Sequence, residues 1–396
     1  MRFFDGLVCF GGADWWYHNR GHYDIQMCRQ FAEHVPVLYV NSIGVRTPSV
    51  REGAMFLRRA TRKLASWRRG FTRIESRFAV LSPLAVPGRV ARGISRPVVR
   101  NQIRLAVKRM GMSRPLVWVE CPTALEFARH IDHAGMIYQR TDRYEEFPGA
   151  DPVMIREYDR QLKQSADVTL FCSNLLYTEE AAQCRHPCFV DHGVEFERFR
   201  QAGDEVSCEP ADMKSIARPR VGFVGGIDAH TFDASLFCEL ARQLPGMSFV
   251  LVGQCSLPAQ WCPEPNVVLL GQKAYESVPA YMAACDVLIM PWNDNPWIKA
   301  CNPVKLKEYL AVGRPVVSSP FDELNKYADQ IAVANDANEF VSAIRNAVRE
   351  PGDSKSRQAR VRGHTWSAKA TECQRHLRNA GLVMQGMPET VAVAAG

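Results

Sequence analysis

No stretch of eighteen uncharged apolar residues occurs anywhere in the 396-residue chain, so nothing in it reads as a membrane-spanning helix. The N-terminus, MRFFDGLVCFGGADWW, lacks the basic start, long apolar middle and small-residue cleavage site of a secretory signal; the expected location is the cytoplasm. The thirteen cysteines are odd in number and scattered without a C-x-x-C pair, which fits buried reduced thiols and offers neither a disulfide framework nor a zinc site. No D-x-D pair is present to hold a divalent metal on a phosphorylated ligand, and no metal is expected. The G-x-G-x-x-G fingerprint is also missing, because Gly222, Gly225 and Gly226 have the wrong spacing. That disfavours a dinucleotide-dependent dehydrogenase, and no cofactor is expected.

Acidic residues are nearly absent from one region. Between Arg46 and Arg114 there are eighteen Lys and Arg against Glu52 and Glu75, whereas residues 201–396 carry nineteen against twenty-one Asp and Glu. The overall charge of +7 is therefore local to one part of the chain. Within it, Met55 to Phe71 sets Phe56, Leu57, Leu64, Trp67 and Phe71 among Arg58, Arg59, Arg62, Lys63, Arg68 and Arg69. This is the composition of an amphipathic helix lying on an anionic membrane surface, where each basic residue is worth about 1 kcal/mol. A plain solvated helix shares that composition. Nucleic acid would feel the same charge, but no recognised nucleic-acid module accompanies it, and no nucleic-acid partner is expected.

What is present is ample core-forming material, 46% hydrophobic, in a length that suggests two domains. Short apolar runs alternate with helical stretches: 7–10, 37–41, 78–81, 116–120, 136–140 and 168–172, then 221–224, 249–252, 267–270, 287–290, 316–318 and 331–334. The alternation predicts α/β architecture with two doubly wound sheets. We read residues 1–200 as a first domain, 201–219 as a linker rich in acids and breakers, and 220–363 as a second domain. Residues 364–380 form a terminal helix and 381–396 a loose tail. Ligands of doubly wound sheets bind beyond the carboxyl ends of the strands, so the loops there carry the candidate chemistry.

Gly11-Gly12 and Gly225-Gly226 each follow the first strand of a half. Glycine there permits close approach of a ligand or of a neighbouring helix. Trp15 and His18 extend the first loop toward a possible acceptor substrate, although a Trp in a loop serves packing as readily as binding. Asp142 lies just past a strand and suits a general base taking a proton from a hydroxyl; capping of the following turn is the competing reading, and Glu145 and Glu146 are alternatives. In the second half, Gly271, Lys273 and Tyr275 follow one strand and Asn293 another, placed to meet a nucleobase and a sugar.

The stretch Asn302 to Ser319, NPVKLKEYLAVGRPVVSS, is the richest. Asn302-Pro303 starts a helix, Gly313 stops it, and an apolar strand follows. Lys305 and Glu308 share one face near the helix N-terminus, where free N–H groups and the helix dipole favour a diphosphate.

The order of these motifs resembles bacterial glycosyltransferases of the GT-B fold, in the broad family 4-like group near its exopolysaccharide and teichuronic-acid branches. The segments carrying the resemblance are SADVTLFCSNLLYTE, DHGVEFERF, VGFVGGID, FVLVGQ, NVVLLGQKAYESVPAYMAACDVLIMPW and NPVKLKEYLAVGRPVVSS; the last two are the specific ones. The resemblance implies two Rossmann-like domains facing a cleft, with the Trp366 helix crossing back to the first. It implies Glu308 on the donor ribose, Lys305 on the diphosphate, and residues around Gly271 to Tyr275 on the base. Ala300 departs from it, standing where members with paired glutamates place the one that reads the donor sugar. The departure turns the resemblance toward inverting, membrane-associated glucuronosyltransferase-like members, in which a first-domain aspartate is the base and a lysine holds the phosphates. Asp228, His230 and Asp233 stand where a basic pair is common.

The function expected is transfer of a sugar from a nucleotide-sugar donor to a lipid-linked or polysaccharide acceptor in cell-surface polysaccharide synthesis, peripheral on the inner face of the plasma membrane. The nucleotide sugar is a substrate, not a cofactor. The alternatives are a nucleotide-sugar epimerase of the same shape and a catalytically silent relative acting as an assembly partner.

Overall fold

Two largely parallel sheets organise the chain; their central strands are buried on both faces and hence are near-continuous apolar runs. The structure is a computed structural model that describes residues 1–17, 21–42, 54–84, 91–205 and 209–386. It divides into two units: Met1–Cys172, Leu176–Val190 and Ala370–Gly396 form the first, Ser173–Leu175 and Asp191–Lys369 the second.

The first unit contains β1 (Arg2–Phe4), β2 (Leu7–Phe10), β3 (Val37–Val40), β4 (Phe71–Glu75), β5 (Phe78–Leu81), β6 (Leu116–Val119), β7 (Gly135–Arg140), β8 (Val168–Phe171) and β9 (Pro187–Phe189). Its large sheet has the order β4-β5-β3-β2-β6-β7-β8-β9. All pairings are parallel except β4 with β5. The chain winds outward from β2 in both directions, so the switch point lies between β2 and β6. The second unit contains β10 (Arg220–Val224), β11 (Ser248–Val252), β12 (Val267–Gly271), β13 (Val287–Met290), β14 (Val316–Ser318) and β15 (Ile331–Val333), in the order β12-β11-β10-β13-β14-β15. Here the switch point lies between β10 and β13. Every strand expected from the sequence is present, because each is an apolar run ended by glycine, a polar residue or proline.

Three elements depart from the sequence reading. The basic amphipathic helix spans Ala54–Arg69 and stops before Phe71, which opens β4 after Gly70 adopts a left-handed φ of 50°. On its described part, Ser66 is buried while Arg62, Leu64 and Arg68 face solvent. The stretch read as a linker begins inside the helix Phe196–Asp204, whose Phe199 is fully buried in the second unit's core. Finally, β16 (Leu382–Met384) replaces the start of the loose tail and pairs in parallel with β1, Phe3 opposite Val383. Leu382 and Met384 are buried there, which supplies the reason. Residues 387–396 of that tail lie outside the described residues. The helix Trp366–Asn379 begins in the second unit and ends in the first, the crossing expected for this fold.

Candidate active site

In the second unit the switch point brings together Gly225, Lys305, Glu308 and Tyr275. Gly225 follows β10, and its N–H donates to Val252 O at 2.9 Å. A Cβ added to it would lie 2.2 Å from Nζ of Lys305, and one on Gly253, after β11, only 1.7 Å from Gly225 O. Bare backbone is what lets these strand ends and the lysine share so small a space. Lys305 comes from the helix Val304–Val312, ended by Gly313 at φ 81°. Tyr309, one turn on, accepts a 2.9 Å hydrogen bond from Val224 N and so fastens this helix to the end of β10.

The Lys305 ammonium lies 4.9 Å from the Phe223 ring centre and 4.6 Å from that of Trp292. It makes no hydrogen bond or ion pair among the described residues. Burial lowers its pKa to about 8 despite the opposing pull of Glu308. Glu308 is buried, and Tyr275 donates to its Oε1 at 3.2 Å. Burial raises the Glu308 carboxyl to about 7, with the Tyr275 hydrogen bond and Lys305 working the other way. The result is a cation held, among the described residues, by aromatic faces, beside a carboxyl poised near neutrality, at a helix N-terminus with no side-chain cap. Such an arrangement suits an incoming oxyanion together with hydroxyl groups.

The other expected donor-site residues have the following surroundings. Lys273 is paired with Asp212 at 2.6 Å. Asn293 donates from Nδ2 to Ala229 O and His230 O, both at 3.1 Å, so its amide shapes the loop after Gly226. In that loop Asp228 accepts from His230 N and Thr231 N at 2.9 Å, forming a tight turn. Gly271 ends β12 at φ 72°, and its carbonyl accepts from Gly253 N at 2.9 Å. Asn302 is buried just before the Lys305 helix, as is Ala300.

The first unit has its own constellation. Asp142 follows β7, and its carboxylate makes no hydrogen bond among the described residues; burial, partly opposed by Arg140, lifts its pKa to about 6. Gly12 N donates to Glu120 Oε2 at 2.6 Å and to Asp24 Oδ2 at 3.2 Å. A Cβ on Gly11 would meet Tyr39 Oη at 1.9 Å, and one on Gly12 would meet the Glu120 carboxyl carbon at 2.8 Å. Tyr39 donates to Asp24 Oδ2 at 2.7 Å, and Tyr144 to Glu120 Oε1 at 3.4 Å. Both acids are buried, and no cation pairs with either among the described residues. Burial, and next the Asp24 charge, push the Glu120 carboxyl well above its ordinary range. Glu120 therefore holds its proton more tightly than an exposed carboxyl does. Trp15, expected on the acceptor side, is packed 4.9 Å from Phe78 and is 2% exposed, because its backbone N–H is tied to Asn41 Oδ1 and its ring completes the core. His18 lies outside the described residues.

Sequence reasoning missed the Asp24–Glu120 pair, whose members are far apart in the chain. It also missed Asp191, buried between Lys307 at 2.6 Å and Lys369 at 2.5 Å. Both lysines hold the Asp191 carboxylate far below its ordinary range, against the effect of burial. Among the described residues, no cluster of three or more His, Cys, Asp or Glu is arranged to hold a metal.

Comparison with known proteins finds similarity in sequence and in fold. Residues 218–350 match the family model described as Glycosyl transferases group 1. A putative teichuronic acid biosynthesis glycosyltransferase, TuaH of Bacillus subtilis (strain 168), is 29% identical over 212 residues, 47% of this chain and 51% of that protein. The match thus spans about half the length of the curated relative. Sucrose-phosphate synthase from Thermosynechococcus elongatus superposes with a TM-score of 0.70 at 14% identity, covering 95% of this chain and 98% of that one. Anabaena HepE in complex with UDP does so at 0.63 and 12%, covering 96% and 100%. The fold is that of the GT-B glycosyltransferases, as the motif order implied.

Proposed function

We propose, for a chain that carries a group 1 glycosyltransferase domain on a GT-B fold, that it transfers a sugar from a nucleoside-diphosphate donor to a lipid-linked or polysaccharide acceptor in cell-surface polysaccharide synthesis. The observation that carries this reading is the Lys305 ammonium, buried against Phe223 and Trp292 without an ion pair among the described residues and one turn from Glu308. A diphosphate supplies the missing counter-charge, and Glu308 supplies an acceptor for ribose hydroxyls. The UDP bound to the structurally similar HepE and the teichuronic acid pathway of the relative TuaH favour the same substrate classes.

In the proposed reaction the acceptor hydroxyl loses its proton to Asp142 as its oxygen bonds to the sugar's anomeric carbon. The bond from that carbon to the diphosphate breaks, and the negative charge left on the departing phosphate is stabilised by Lys305 and the helix dipole. Gly225 and Gly226 leave room for the phosphates; Tyr275, through Glu308, positions the ribose end. No metal enters this scheme. The basic region 46–114 would attach the protein reversibly to the inner face of the plasma membrane. Among the described residues, no helix is long and apolar enough to cross a membrane.

Calorimetry with UDP, GDP and dTDP tests the donor half directly. One of them should bind, and Lys305→Ala should abolish that binding; failure of every nucleoside diphosphate to bind would remove the reading.

A further inference from the structure

The helix Ala91–Arg109 contains no acidic residue in its nineteen positions, yet carries Arg96, Arg100, Arg104 and Lys108 exactly one helical step of four apart. At 1.5 Å per residue this stripe extends for about 18 Å. It lines two adjoining cavities of the first unit. One, about 410 Å³, is walled by Arg96, Arg100, Arg129 and His130; the other, about 300 Å³, by Arg100, Arg104, Lys108 and His130. Arg100 and His130 belong to both, so the two form one groove.

Most of this charge is uncompensated. Arg96 is neutralised by a two-point contact with Glu126, at 2.8 and 3.0 Å. Among the described residues Arg104 bonds only the neutral Asn101, and Arg129 the Leu125 carbonyl and Gln161. Arg100 and Lys108 have no hydrogen bond or ion pair among the described residues, and Nε of Arg100 is buried without a partner. Glu157 faces the groove already paired with Arg160, which leaves Asp132 as its one carboxylate without a partner among the described residues. Burial, then Arg100 and Arg129, lower the His130 pKa, as expected where cations crowd together.

A groove of this shape, holding an unpartnered guanidinium, recognises discrete oxyanions along an extended ligand. A flat lipid surface needs no concavity, and Val98 and Leu105, exposed on the same helix, do not line it. We infer that this groove binds an acidic glycan chain through its carboxylates or phosphates and so selects the acceptor. The inference rests on the glycosyltransferase reading for its choice of a glycan.

The test compares the full chain with the triple variant Arg100→Ala, Arg104→Ala, Lys108→Ala by fluorescence anisotropy in about 0.15 M salt. The probes are labelled oligogalacturonate, its methyl-esterified neutral form, poly(glycerol phosphate), and vesicles of phosphatidylglycerol with phosphatidylcholine. Saturable binding of either acidic chain, weakened about ten-fold or more in the variant while its circular dichroism and nucleoside-diphosphate affinity stay unchanged, is the expected result. The responding polymer tells carboxylate from phosphate. The inference is overturned if neither acidic chain binds, if the neutral form binds equally, if the variant binds as tightly, or if only vesicles are bound. Absence of nucleoside-diphosphate binding by the wild-type protein would instead count against the donor reading and leave this result standing.

Discussion

The ammonium of Lys305 occupies the place a side chain on Gly225 would need: a Cβ there would lie 2.2 Å from Nζ. Gly225→Ala should therefore displace the lysine's flexible end at modest cost to the fold, about 1–2 kcal/mol including strain at φ 157°. Nucleoside-diphosphate affinity should fall about ten-fold or more in the same variant. Calorimetry paired with thermal denaturation measures both; unchanged affinity would show that the displaced lysine does not serve the ligand.

Binding of a nucleoside diphosphate should weaken as pH rises through about 8, where the Lys305 ammonium loses its proton. The sign follows from the charge, since only the protonated lysine attracts phosphate. Lys305→Met should bind weakly at every pH, and Lys305→Arg should shift the decline to higher pH. Affinities measured between about pH 7 and about pH 9.5 decide it, and a flat wild-type profile would contradict the assignment.

Asp142 must be ionised to accept a proton, so turnover at fixed donor saturation should rise with pH through about 6. Asp142→Asn should reduce transfer by about 100-fold or more and leave nucleoside-diphosphate affinity unchanged. Retention of full turnover would pass the role to Glu145 or Glu146.

The Asp24–Glu120 pair makes a prediction about stability. A carboxyl raised in the folded state binds its proton more tightly there than when unfolded, so its contribution is present in acid and is lost as pH rises above the ordinary value of 4.5. Glu120→Gln, which keeps an acceptor for Gly12 N and cannot ionise, should remove that decline and overtake the wild type in alkaline solution. Urea unfolding from about pH 5 to about pH 9 reads the two slopes; parallel slopes would refute a raised Glu120 carboxyl.

Asp191→Ala should destabilise the protein by about 3–5 kcal/mol, because the buried Lys307 loses its counter-charge. Pairing the change with Lys307→Met should recover part of the loss in denaturant unfolding. Equal losses in the single and double variants would mean the ion pair is not the cause.

Sheet and loop glycines were legible because parallel buried strands leave a local signature, an apolar run closed by glycine or proline. Val287–Met290 and Val316–Ser318 are clear cases. The edge strand Phe71–Glu75 was not, since its half-exposed alternation merges with the basic helix before it. Lys305 and Glu308 were legible for a different reason: their relationship is one turn of helix. Asp24 with Glu120, and Asp191 with Lys307, are 96 and 116 positions apart, and only the folded chain brings each pair to a common partner or contact. Asn293 and Lys273 show the converse: each follows its strand as the sequence implies, while their partners, His230 O and Asp212, could not be seen in the sequence.

Asp191 and Lys369 open and close the long segment of the second unit, and one carboxylate holds both. A single carboxylate thus ties the first residue of that segment to its last, and its loss would leave both ends without their shared anchor.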